Sequence, residues 1–75
     1  MTNKRIDEAM ERVLYRMEKM ENVRIAKSDG EYAVGYDYND NAIYIVNIYN
    51  NVEEIEEMND KEIDIMIEDN IVEAE

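Results

Sequence analysis

The last third of the chain, Val52 to Glu75, constrains the fold more than any other stretch. It holds eleven acidic residues: Glu53, Glu54, Glu56, Glu57, Asp60, Glu62, Asp64, Glu68, Asp69, Glu73 and Glu75. Lys61 is its only base. Between the acids stand Val52, Ile55, Met58, Ile63, Met66, Ile67 and Ile71, largely at steps of three and four. That spacing writes an apolar stripe along a helix with carboxylates on its other faces. A disordered acidic tail has no use for such a stripe. The expectation is therefore a folded, strongly anionic surface.

The imbalance is regional. Residues 1–27 carry seven bases and five acids, whereas residues 28–75 carry fifteen acids and one base, for a net charge of −12 over 75 residues. Phosphate binding needs Lys and Arg, so the surface argues against nucleic acid or an anionic membrane as a direct ligand. Salt adaptation also produces acidic proteins, but it fits poorly with charge confined to one end of an Ile-, Asn- and Tyr-rich chain. At 75 residues the expectation is a single domain, 1–75, with a thin core. The sequence has no Cys, hence no disulfide frame or thiolate metal site. With no long apolar run and no signal-like segment, the expected location is cytoplasmic.

Asn3 to Met20 reads as the first helix, with Ile6, Met10, Val13, Met17 and Met20 on one stripe and Ala9 and Leu14 beside it. Thr2 or Asn3 is placed to cap it, and Glu8, Arg12 and Arg16 are expected on its outer face. The stripe lasts about two heptads, too short for a coiled coil and long enough for core packing. Three strands follow, at 23–28, 31–38 and 42–49. Asp29-Gly30 marks a two-residue hairpin turn, and Asn39-Asp40-Asn41 a second polar turn of three residues.

Those loop lengths set a register. Ile25 should oppose Val34, and Tyr36 should oppose Tyr44. The expected core face is then Val23, Ile25, Tyr32, Val34, Tyr36, Tyr44, Val46 and Ile48. Ile43 and Ile45 fall on the less buried face. Asn50-Asn51 is placed to cap a helix at about 51–58. Asn59 with Glu62 has the form of a capping box, opening a last helix at about 60–72. Ile63 to Glu68 also alternates apolar and acidic residues, so a strand at 62–68 is the competing reading. The expected fold is α+β: helix, three-stranded antiparallel sheet, two acidic helices.

With no His, no Cys, one Ser and one Thr, the usual nucleophile–base pairs cannot be built, and the chain reads as no enzyme. Asp37 to Asn41 starts like a calcium loop, but Ala42 stands where that loop needs Gly and Ile48 where it needs Glu. A hairpin turn is the better reading, and no metal or cofactor is expected. Six Tyr and no Phe or Trp suit core edges and contact surfaces, Tyr38 and Tyr49 above all.

The order of elements, with the acidic run 53–69 and the turns at Asp29-Gly30 and Asn39-Asp40-Asn41, resembles the small acidic inhibitors carried by phages, of the anti-CRISPR and anti-restriction kind. One that blocks a CRISPR effector nuclease is similar in having a helix, three antiparallel strands and two helices, with acids occupying a DNA-reading site. No sequence motif carries the resemblance. It implies an inhibitor that acts in the cytoplasm of a bacterial host cell and binds a basic, nucleic-acid-binding host protein by mimicking DNA phosphates. Read as a continuous helix, the acidic segment supports this: eleven acids over about 36 Å place one charge per about 3.3 Å, near the ~3.4 Å along one DNA strand. The expected contact residues are Glu53, Glu54, Glu57, Asp60, Asp64 and Glu68, extended by Asp37 and Asp40. The alternatives are a solubilising acidic face, a homo-oligomeric scaffold with a homodimer formed through Ile43 and Ile45 or through the Met-rich first helix, and an acidic neutraliser of a basic protein unrelated to nucleic acid.

Overall fold

In the computed structural model, which describes residues 4–28 and 31–73, three helices lie on one face of a four-stranded antiparallel sheet. Helix α1 (Lys4–Lys19) leads into strands β1 (Val23–Ser28), β2 (Tyr32–Asp37) and β3 (Ala42–Asn47). A 3-10 turn (Tyr49–Asn51) precedes α2 (Val52–Glu57) and α3 (Asp60–Asp69). The chain closes with a short strand, β4 (Ile71–Glu73). The sheet order is β1-β2-β3-β4. Helix α1 crosses β1 and β2, α3 covers β3, and α1 packs on both α2 and α3. This is the two-layer α+β architecture expected, with one strand more than expected.

The stripes of the helices make the core. Val13 and Met17 of α1, Ile55 of α2, and Ile63 and Ile67 of α3 are fully buried, with Val46 and Ile48 from the sheet side. Ile6, Leu14, Met20, Val52, Met58 and Met66 pack around them. Residues 62–68 are helical, because Ile63 and Ile67, four apart, bury on one side and leave Ile65 exposed. The capping box is present: the Glu62 amide donates to Asn59 Oδ1 at 2.9 Å, and the Asn59 amide to Glu62 Oε1 at 3.2 Å.

The middle strand departs from the expected register. Asp37 pairs with Ala42, Tyr36 with Ile43 and Gly35 with Tyr44, so the second turn has four residues, 38–41. Asp37 sets this turn. Its Oδ1 accepts the amides of Asn39 and Asp40 at 2.9 and 3.0 Å, and Asn41 takes the left-handed conformation (φ 52°) that Asn tolerates. On the other side, Val23 pairs with Asp37 and Ile25 with Gly35, and a bulge lies between Ile25 and Lys27. The turn expected at Asp29-Gly30 lies outside the described residues, as does the cap expected at Thr2 or Asn3.

β2 therefore turns the opposite way from expectation, while β1 and β3 face as expected. Ala33, Gly35 and Asp37 point at the helices; Tyr32, Val34 and Tyr36 point away. The physical reason is crowding at Gly35 by Val23 of β1 and Met17 of α1. A Cβ on Gly35 would stand 3.0 Å from Val23 Cγ1 and 3.3 Å from Met17 Sδ. Only small side chains fit beneath the helix there, so Val34 and Tyr36 cannot occupy that face.

Two helix ends also differ from expectation. Asn51 sits at the N-cap of α2 without a side-chain cap; its Nδ2 donates instead to the Asn47 carbonyl at 2.6 Å. α3 ends at Asp69 and not at 72. Asn70 stops it by donating from Nδ2 to the Met66 carbonyl at 2.7 Å, and its own carbonyl accepts the Ile45 amide at 3.0 Å. Ile71 and Val72 then pair with Tyr44 and Ile43. Three residues are too few to show strand alternation, and β-branched Ile and Val serve either state.

Candidate binding surface

Four acids in six residues, with no base in its last turn, make α2 a poor helix by itself. α1 supplies the missing cations. Arg12 donates from Nη1 to the Ile55 carbonyl at 2.6 Å and from Nη2 to the Met58 carbonyl at 2.7 Å, closing the C-terminal end of α2. Arg5 pairs with Glu56 through two hydrogen bonds, Nε to Oε2 at 3.0 Å and Nη2 to Oε1. Arg16 makes a bidentate fork on Asp64, 2.9 and 2.7 Å, and stands 3.7 Å from Asp60. Arg12 reaches Asp60 at 3.8 Å. Arg12 and Arg16 are thus half-buried fasteners between helices, not outer-face charges.

The protonation equilibria follow. The Arg16 fork holds the Asp64 carboxyl below the usual carboxylate range, against a burial effect that raises it. Arg5 does the same for Glu56 by hydrogen bonding. Burial lifts the Tyr44 phenol, and the fields of Asp37, Glu68 and Asp40 add to it.

The eight residues expected to meet a partner fall into three groups. Glu53, Glu54, Glu57, Glu68 and Asp40 are exposed carboxylates. Asp60 is exposed, with its side chain 70 % accessible, and is shared loosely by two arginines. Asp64 is occupied by Arg16, and Asp37 is buried at 6 % exposure with Oδ1 occupied by its own turn. Sequence reasoning passed over Glu62 and Asp69, which are also exposed on α3. The signal for the internal pairs was present in the spacing of Arg5, Arg12 and Arg16, seven and four apart, which lines them up on one side of a helix.

The acidic segment is not one rod. Met58 is extended (φ −79°, ψ 143°) and Asn59 follows in the same region, so α2 and α3 are separate pieces of about 9 and 15 Å. The acids do not form a single helical row at DNA spacing; the exposed carboxylates are divided between α2 and α3. Tyr38 and Tyr49, at 52 % and 62 % exposure, stand at strand ends. Among the described residues no group of three or more acids is arranged to hold a metal ion, and no helix is long and apolar enough to cross a membrane.

The fold and surface define a two-layer α+β protein with an anionic helical face. No family model, curated protein or solved structure matches the chain.

Proposed function

We propose that this protein is a small acidic inhibitor. It binds a basic, nucleic-acid-binding protein of a bacterial host, such as a CRISPR effector or another nuclease, by presenting carboxylates where DNA phosphates sit. The observation that carries this reading is what remains after the internal pairing. α1 neutralises Glu56 and Asp64 and half-engages Asp60, yet Glu53, Glu54, Glu57, Glu62, Glu68 and Asp69 stay exposed on α2 and α3, with Lys61 the only base among them. A domain this small bears the resulting like-charge repulsion at a cost to its stability. A basic partner surface converts that cost into attraction. Association should be steered, fast and sensitive to salt.

The internal pairs decide how this is tested. Reversing Asp60 or Asp64 would damage the fold as well as the surface. Glu54→Lys, Glu57→Lys and Glu68→Lys together leave every described ion pair intact. The expected result is that the wild-type protein captures a nucleic-acid enzyme from bacterial lysate, that duplex DNA displaces it, and that the triple variant loses at least tenfold in affinity, at about 0.5 kcal/mol or more per exposed charge. Capture that ignores all three reversals would sink the proposal. Capture that survives excess DNA would favour the acidic neutraliser of a basic protein unrelated to nucleic acid.

A further inference from the structure

Among the described residues, no helix or strand lies over the face of the sheet away from the helices. The register places Arg24, Tyr36, Ile43 and Val72 in one row across the four strands, with Val34 beside Ile45 and Tyr32 beside Asn47. Ile45 is 37 % exposed and Val72 53 %, and none of these side chains belongs to the core on the helical side. In β2 the assignment is the reverse of what an isolated two-layer domain would use. Its small residues, Ala33 and Gly35, face the helices, and its bulky ones, Tyr32, Val34 and Tyr36, face outward. The chain thus presents half of a second apolar core.

Charge selects the occupant. Of the 20 acids in the chain, none is among the described strand side chains on this face, whose one cation, Arg24, lies over the Tyr38 ring at 5.4 Å. Glu31 and Asp40 sit in the flanking loops. Nucleic acids and anionic membranes are repelled by a chain of net charge −12, and one arginine does not reverse that. A strongly basic partner is drawn to the helical side. A second copy carries the same net charge of −12, but it brings an equally acid-free face to the contact and keeps its acidic helical layer on the far side. Packed sheet to sheet, two copies stack as helices, sheet, sheet, helices, with layers about 10 Å apart. Their acidic helical layers are then about 30 Å apart, nearly four Debye lengths of about 8 Å at physiological salt.

We propose that the acid-free outer face of the sheet is a self-association surface on which a second copy of this chain packs sheet to sheet. The resulting dimer carries an acidic helical face on each side. The proposal is independent of what those acidic faces bind. The sheet covers roughly 300–400 Å2, below the ~800 Å2 per partner of a standard interface, so the association is of the weak, concentration-dependent kind.

Sedimentation equilibrium from 10 µM to 1 mM, at low and at 0.5 M salt, tests it. The expected result is a shift from 8.9 kDa toward twice that mass, at least as strong at high salt because only repulsion is screened. Ile45→Glu, and separately Val72→Lys at the more exposed position, should return the mass to that of one chain at 0.5 mM, with an unchanged circular dichroism spectrum. The Glu54→Lys, Glu57→Lys, Glu68→Lys variant should not disrupt the dimer. A wild-type protein that stays at 8.9 kDa throughout would overturn the proposal and leave the face to a different partner. A dimer that neither sheet-face variant weakens would overturn it too.

Discussion

Gly35 shows how one missing Cβ decides the orientation of a strand. Alanine there must push Met17 and Val23 aside by a few tenths of an ångström, and valine by more. Gly-to-Ala in a strand ordinarily helps; here Gly35→Ala should cost about 1 kcal/mol and Gly35→Val about 2–3 kcal/mol, read by urea denaturation. A neutral Gly35→Val would mean that Val23 and Met17 do not crowd Gly35 as the contacts place them. Asp64 makes a different residue-scale prediction. Its folded pKa is depressed, so its contribution to stability is present above the unfolded value of about 3.9 and is lost as pH falls through the folded value. Wild type should exceed Asp64→Asn in stability by a constant margin from pH 8 to 5, and the margin should close below about pH 4. A margin that widens in acid would contradict the Arg16 fork.

At the scale of elements, α2 depends on α1. Six residues cannot sustain a helix alone, and four of these six are acidic. What holds α2 is Ile55 in the core and the two Arg12 hydrogen bonds at its C-terminal end. Arg12→Met keeps the stem and removes those donors. It should cost about 2 kcal/mol and speed amide exchange in α2 well above that in α3, which has its own capping box. Equal exchange in the two helices would show that packing alone holds α2. β4 illustrates the converse dependence. It exists because Asn70 ends α3 beside the free edge of β3, where Ile71 and Val72 find partners.

For the whole molecule, net charge is the dominant electrostatic fact. Raising salt from about 10 mM to 1 M shortens the screening length from about 30 to 3 Å. Screening weakens the Arg–carboxylate pairs as well as the repulsion, but few of the acids are paired. The melting temperature should therefore rise with salt, by about 5 °C, measured where the chain is dilute. A fall would mean that the helix-to-helix pairs outweigh the summed repulsion. The molecule has two unlike sides: a helical layer bearing the free carboxylates, and an apolar sheet face without acids among its described strand side chains.

The one-dimensional pattern determined the three helices, three of the four strands, the Asn59–Glu62 cap and the anionic character of the last third. Each of these rests on periodicity or local hydrogen bonding, which neighbours in the chain suffice to specify. Tertiary structure alone decided the rest. The facing of β2 depended on how closely Val23 of β1 and Met17 of α1 crowd Gly35, and the second turn's length on where the Asp37 carboxylate finds amides. Which acids are free depended on Arg5, Arg12 and Arg16 reaching α2 and α3 from 43 to 51 residues away. A charge count cannot separate a carboxylate held in an internal fork from one offered to a partner. That distinction is made by distance in three dimensions, because an ion pair gains its energy only within a few ångströms.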